Sequence, residues 1–251
     1  MKNKEKVMRK NKLIVANWKV NGSTSLCEEY KILCDWQGQA TLVVCPPYPY
    51  LSQFNPHKAH IGTQNVSIYQ SGSHTSHVSV NMLKEFGCEY AIIGHSEVRE
   101  TFGDSDVIIR AKARLLLNEM ITPIICVGED ESVRNNGQHF SFVKSQLKQG
   151  LPYLEFGENV RDIVIAYEPI WAIGSGKTAT LAQIEEMAKE IHTIVGNFYQ
   201  HFSQLRITVL YGGSVKPDNA KEILGLPSVD GLLIGGASLV PKNMEQILSF
   251  C

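Results

Sequence analysis

The stretch ITVLYGGSVKPDNAKEILGLPSVDGLLIGG, residues 207–236, decides the fold. Ile207–Leu210 and Gly231–Ile234 are short, continuous apolar runs. Runs that are continuous rather than alternating belong to strands covered on both faces, as in a parallel sheet. Lys216–Leu224 between them reads as a helix, with Pro217 suited to its first turn. Strand, helix and strand in about 30 residues make one βα unit leading into the next.

The same alternation extends back to the start of the chain. Leu13–Ala16, Thr41–Cys45, His60–Thr63, Tyr90–Ile93, Pro123–Val127 and Ile163–Tyr167 are the other strand candidates. Ser23–Trp36, Asp104–Glu119 and Leu181–Gln200 are the other clear helices. Leu181, Ile184, Met187, Ile191 and Val195 give one helical stripe, and Asp104 and Thr180 suit N-caps. Eight such units in 251 residues predict a single-domain α/β protein, a closed (β/α)8 barrel, with an open doubly wound sheet as the alternative. No Pro/Gly/Ser-rich linker divides the chain. The reading is a basic N-terminal tail over residues 1–12, leading into strand one, and a barrel catalytic domain over 13–251.

Composition excludes several classes. With 43% hydrophobic and 20% charged residues the chain is neither disordered nor fibrous. The formal net charge is −1, but residues 1–12 hold six cations and one anion, so the remainder is mildly acidic. That leaves no footprint for nucleic acid, and an anionic ligand must be held by local groups. The basic start leads into only Leu13–Ala16 before Asn17, too short for a signal peptide, and Met8 is an alternative start. No apolar run is long enough to span a membrane. Six cysteines without a CxxC pair suggest neither zinc nor disulfides, and the expected location is cytoplasmic.

In a barrel, the strand C-terminal ends open on one face, where active sites are built. Asn17-Trp18-Lys19, Gly94-His95-Ser96-Glu97 and Glu168-Pro169 follow three of the strands. A Lys, a His and a Glu far apart in sequence would converge on one mouth. His95 opens a possible helix, whose N-terminus disfavours the charged ring, and a neutral imidazole can donate to a developing oxyanion. Glu168, beside a possible lid, is a candidate general base, and Lys19 would supply fixed positive charge. Tyr211-Gly212-Gly213-Ser214 and Gly235-Gly236 follow the last two strands. Glycine-rich loops leading into helices let backbone N–H groups approach a phosphate.

Two other motifs read as false leads. Ile173-Gly174-Ser175-Gly176-Lys177-Thr178 is not a P-loop, since Trp171 stands where its first Gly is required. It reads better as a lid. His74-x-x-His77 lacks partner ligands and reads as a polar loop rather than a metal half-site.

These segments resemble the triosephosphate isomerase family over nearly the whole chain. They are Val15–Lys19, Ile93–Glu97, Ala166–Thr180, Tyr211–Val215 and Gly231–Leu239, in the family's order. The resemblance implies interconversion of dihydroxyacetone phosphate and D-glyceraldehyde 3-phosphate, a step of glycolysis and gluconeogenesis, without cofactor or metal. It implies Glu168 as base, His95 as the group that polarises the carbonyl, Lys19 for negative charge and Asn17 for substrate position. Ser96 and Glu97 would support them. Backbone N–H groups at Gly174, Ser214, Gly235 and Gly236 would hold the phosphate, with residues 169–179 closing over it.

One region departs from the family. Its third loop usually reads Gly-Ala-Phe/Tyr-Thr-Gly-Glu, and plugs into a partner subunit, where its Glu meets an Arg. Here the loop is Gly72-Ser73-His74-Thr75-Ser76-His77, and Val98 stands at the Arg position. The resemblance implies a homodimer with Thr75 reaching the partner's site and altered interface electrostatics. Two alternatives fit these residues less well. A phosphate-binding barrel with another reaction has no need for Asn17, Lys19, His95 and Glu168 together. A non-catalytic interaction protein has no need for them at all.

Overall fold

The structure, a computed structural model, describes residues 11–36, 38–55, 60–155, 158, 160–173 and 177–251. The predicted tail lies outside the described residues as far as residue 10, and so does Gly174.

Eight parallel strands close into a barrel: β1 Leu13–Asn17, β2 Thr41–Cys45, β3 His60–Thr63, β4 Cys88–Ile93, β5 Thr122–Val127, β6 Asp162–Tyr167, β7 Arg206–Tyr211 and β8 Gly231–Ile234. Each pairs with the next, and β8 returns to β1 through Leu13–Ala16 against Gly231–Ile234. The open sheet is thereby excluded. Among the described residues the helices are α1 Thr24–Cys34, α2 Val80–Glu85, α3 Ser96–Phe102, α4 Asp106–Asn118, α5 Glu131–Asn135, α6 His139–Gly150, α7 Leu181–Phe198, α8 Pro217–Leu224 and α9 Pro241–Leu248.

Local chemistry sets most of the ends. Thr180 caps α7 in a capping box with Gln183, and Pro217 opens α8. Asp104 does not cap α4, as its position had suggested. Ser105 does, accepting from the Ile108 N–H. Asp104 turns inward because a buried ammonium, Lys112, pairs with it and also donates to Asn65. Short α2 and α5 carry too few apolar positions to show a stripe in the sequence.

Strand parity builds the site. Leu13, Val15, Val43, Ile92, Ile124, Cys126, Val164, Ala166, Leu210 and Leu233 form one apolar cluster, the barrel interior. Ile14, Ala16, Val44, Ile163, Ile165 and Val209 belong to a second, larger cluster that includes the apolar faces of the helices. Apart from β3, which contributes only Ile61, each strand alternates between the two, as pleating requires. Continuing the interior parity past the strand ends places Asn17 after Val15 and Glu168 after Ala166.

Candidate active site

Asn17, Lys19, His95, Glu168, Ser214, Gly235 and Gly236 line one cavity of about 890 Å³ at the strand C-terminal ends. Glu168 is 2% exposed and His95 5% exposed. Their side chains touch, with His95 Nε2 3.1 Å from Glu168 Oε1. The other carboxylate oxygen accepts the Ser96 N–H at 3.3 Å.

The imidazole's proton can be placed from its neighbours. His95 caps α3, and its Nδ1 accepts the Glu97 N–H at 3.2 Å. A nitrogen that accepts carries no proton, so the ring is the neutral tautomer with Nε2–H. That N–H faces Glu168. Helix capping and the contact with Glu168 thus use opposite sides of one ring.

Glu168 reaches the cavity because its backbone continues β6 into the mouth. Its N–H donates to Val127 at 2.8 Å, and a Cβ on Gly128 would lie 1.8 Å from its carbonyl oxygen. Only glycine fits at 128. Gln146 on α6 accepts the Gly128 N–H at 2.9 Å, which fixes that glycine from below. Burial pushes the Glu168 carboxyl above its ordinary value, opposed by His95, the Ser96 N–H, Lys19 and the Cys126 thiol. A desolvated carboxylate is a stronger base than one in water.

Lys19 sits in the left-handed region with φ 53°. That conformation costs a non-glycine residue on the order of 1–2 kcal/mol. Asn17 Oδ1 accepts the Lys19 N–H at 3.1 Å and so steadies the turn. The Lys19 ammonium is held by Glu97 at 2.6 Å, and its stem runs past Gly235, where a Cβ would crowd it at 3.2 Å. Glu97 therefore acts on the cavity through Lys19.

Tyr211-Gly212-Gly213-Ser214 runs from β7 to α8, and Gly235-Gly236 runs from β8 into a 3-10 turn, Gly236–Leu239. Both loops border the cavity. The stretch after Glu168 starts as a 3-10 turn, Ile170–Ala172. Fully buried Glu129 accepts from Trp171 Nε1 at 3.1 Å and from Tyr167 at 3.0 Å, anchoring that turn.

The fold and this cavity agree with what the chain resembles. The family model described as "Triosephosphate isomerase" matches residues 12–251. The chain belongs to the triosephosphate isomerase family. A triosephosphate isomerase of Azoarcus sp. (strain BH72) is 43% identical over 244 residues, covering 94% of this chain and 97% of that one. That of Mycoplasma capricolum is 39% identical, covering 97% and 99%. The crystal structure of triosephosphate isomerase from Bartonella henselae superposes with a TM-score of 0.85 at 34% identity, covering 96% and 98%.

Of the described residues that the family's pattern implies, Ser96, Glu97 and Thr75 do not line this cavity. Glu97 borders a second cavity instead, and Thr75 borders neither. It lies exposed on the 72–77 loop. In that loop His74 stacks on Tyr69, with ring centroids 3.5 Å apart, and His77 Nδ1 lies 2.9 Å from Ser67 Oγ. Both histidines are thus accounted for by local contacts. A second cavity of about 520 Å³ opens beside the loop, lined by Tyr69, His77, Val98 and Phe102 and sharing Asn17, Lys19 and His95 with the first.

Cys126 lies near the end of β5. It is fully buried, and burial raises its thiol well above the ordinary value, so it is no nucleophile. A base is near it all the same: its thiol donates to Glu168. The register Cys126↔Ala166 makes the two neighbours, a pairing that sequence separation conceals.

Proposed function

We propose that Glu168, His95, Lys19 and Asn17 carry the family's reaction in this chain. The reaction interconverts dihydroxyacetone phosphate and D-glyceraldehyde 3-phosphate through an enediolate, in glycolysis and gluconeogenesis. Glu168 takes a proton from the carbon beside the carbonyl and returns it to the neighbouring carbon. His95 Nε2–H donates to the carbonyl oxygen as charge develops there, then serves the adjacent oxygen in the second half-reaction. Lys19 stabilises the anion, and Asn17 holds the Lys19 turn and orients substrate. Ser214, Gly235 and Gly236, together with Gly174, present backbone N–H groups to the phosphate. Both Glu168 oxygens are engaged by the His95–Ser96 segment. Substrate must therefore displace at least one of these bonds to meet the base.

The observation that carries this reading is the contact between a buried carboxylate and a neutral imidazole at 3.1 Å. Steady-state isomerisation of D-glyceraldehyde 3-phosphate by the protein, beside Glu168→Gln, tests it. Fast turnover that collapses in the variant is expected. Equal turnover in both would remove Glu168 as the base.

The same reading includes a homodimer. Phe102 is 73% exposed and Tyr69 41% exposed, and both border the second cavity, which abuts the Lys19–Glu97 wall. A second copy's 72–77 loop, carrying Thr75, fits there in the family's manner. His77 and Val98 replace the ion pair that the family places across this contact. Losing both charges avoids stranding one of them in an interface. Sedimentation that shows only monomer at full activity would refute the dimer.

A further inference from the structure

We propose that Arg99 is a positioning residue for the reaction, locking the His95-bearing end of β4 to the end of β5 beside Glu168. The inference rests on the roles given above to His95 and Glu168.

Arg99 lies one turn into α3, with its side chain 19% exposed. Its guanidinium makes three bonds to three different segments. Nε donates to the Gly94 carbonyl at 2.7 Å. Nη2 donates to the Cys126 carbonyl at 3.0 Å. Nη1 donates to Asp106 on α4 at 2.6 Å. Gly94 is the residue before His95, and Cys126 is the residue whose thiol meets Glu168. One planar fork thus joins the two strand ends that set the His95–Glu168 distance, and Asp106 holds the fork.

The geometry at Gly94 makes this more than general packing. Gly94 has φ +69°, so the chain leaves the strand parity there and turns His95 into the mouth. The turn is crowded: a Cβ on Gly94 would lie 2.6 Å from Ile109 and 3.3 Å from Arg99 Nη2. Arg99 therefore grips the carbonyl of the residue whose unusual conformation aims the imidazole. Lysine cannot replace it, because a point charge cannot donate to two carbonyls and a carboxylate in that fixed plane. Arg99 does not line the second cavity, whereas its neighbour Val98 does. Its effect is therefore separable from assembly.

The test uses the full chain and the variants Arg99→Met, Arg99→Lys and Asp106→Asn. Each is assayed for kcat and KM, for inorganic phosphate affinity and for sedimentation. Arg99→Met is expected to lower kcat by about 10–100-fold, the penalty of a misplacement near 1 Å. KM and phosphate affinity stay near wild type, because the β7 and β8 loops are untouched. Arg99→Lys falls between the two, and Asp106→Asn loses less than either. If Arg99→Met does not fold, the kcat order of the other two decides. Wild-type kcat in the Arg99 variants overturns the inference, as does a kcat loss matched by lost phosphate affinity or lost dimer. Glu168→Gln is run alongside. Undiminished turnover there would refute the base assignment itself, a failure distinct from that of Arg99.

Discussion

Glu168 shows at the scale of one residue how function is set against stability. Its carboxyl is buried and held above its ordinary value, chiefly by desolvation. The folded state therefore holds the Glu168 proton more tightly than the unfolded state does. Below the unfolded value the group costs nothing. As pH rises through the raised folded value, the ionised carboxylate destabilises the fold. Glu168→Gln should thus be more stable than wild type at neutral pH, with the gain vanishing as pH falls below about 4.5, the ordinary glutamate value. Urea midpoints of both proteins at pH 4 and pH 7 check this; an equal offset at both would show that ionisation is not the cause. Catalysis needs the ionised form, so the acid limb of kcat/KM should fall above the ordinary glutamate value. A limb at or below that value would contradict a desolvated base.

At the scale of elements, side-chain bonds hold the frame that carries these residues. Thr180 closes the capping box of α7 with Gln183. Thr180→Ala should destabilise the protein by about 1 kcal/mol, read as a shift in denaturant midpoint. The Lys112–Asp104 pair ties α4 to the loop before it, with side chains only 6% and 8% exposed. Lys112→Met leaves a buried carboxylate alone and should cost about 3–5 kcal/mol. A loss below 1 kcal/mol would mean that Asp104 finds water instead. Asp104 read from sequence as a cap because that reading used local pattern only. Ser105, next in line, took the cap once Lys112 claimed Asp104.

At the scale of the whole molecule, the 72–77 loop and α3 set the proposed assembly. In the proposed dimer, His77 and Val98 face each other across subunits. Restoring a charge pair as His77→Glu with Val98→Arg should tighten the dimer relative to either single change, with a coupling of roughly 0.5–3 kcal/mol. Dissociation constants from sedimentation of the four proteins give that coupling. A value near zero would place the 72–77 loop elsewhere than against the partner's α3.

The sequence by itself determined eight βα units and a parallel sheet; the pairing of β8 with β1 decided for the closed barrel over the open sheet. Continuous apolar strands alternating with helices admit few topologies, and eight units are the number that a closed barrel takes. It also determined which residues stand just past the strand ends, because a period of two carries parity onward to Asn17 and Glu168. Only the tertiary structure decided what those residues touch. The Arg99 fork, the Cys126 thiol beside Glu168 and Gln146 beneath Gly128 join segments 18 to 42 residues apart. Nothing in local pattern marks them: an Arg in a short helix, a Cys in a strand and a Gln in a helix are each ordinary alone. The reason is physical. Periodicity records which face of an element is buried, whereas hydrogen bonds between elements depend on register and distance, which exist only once the barrel has closed.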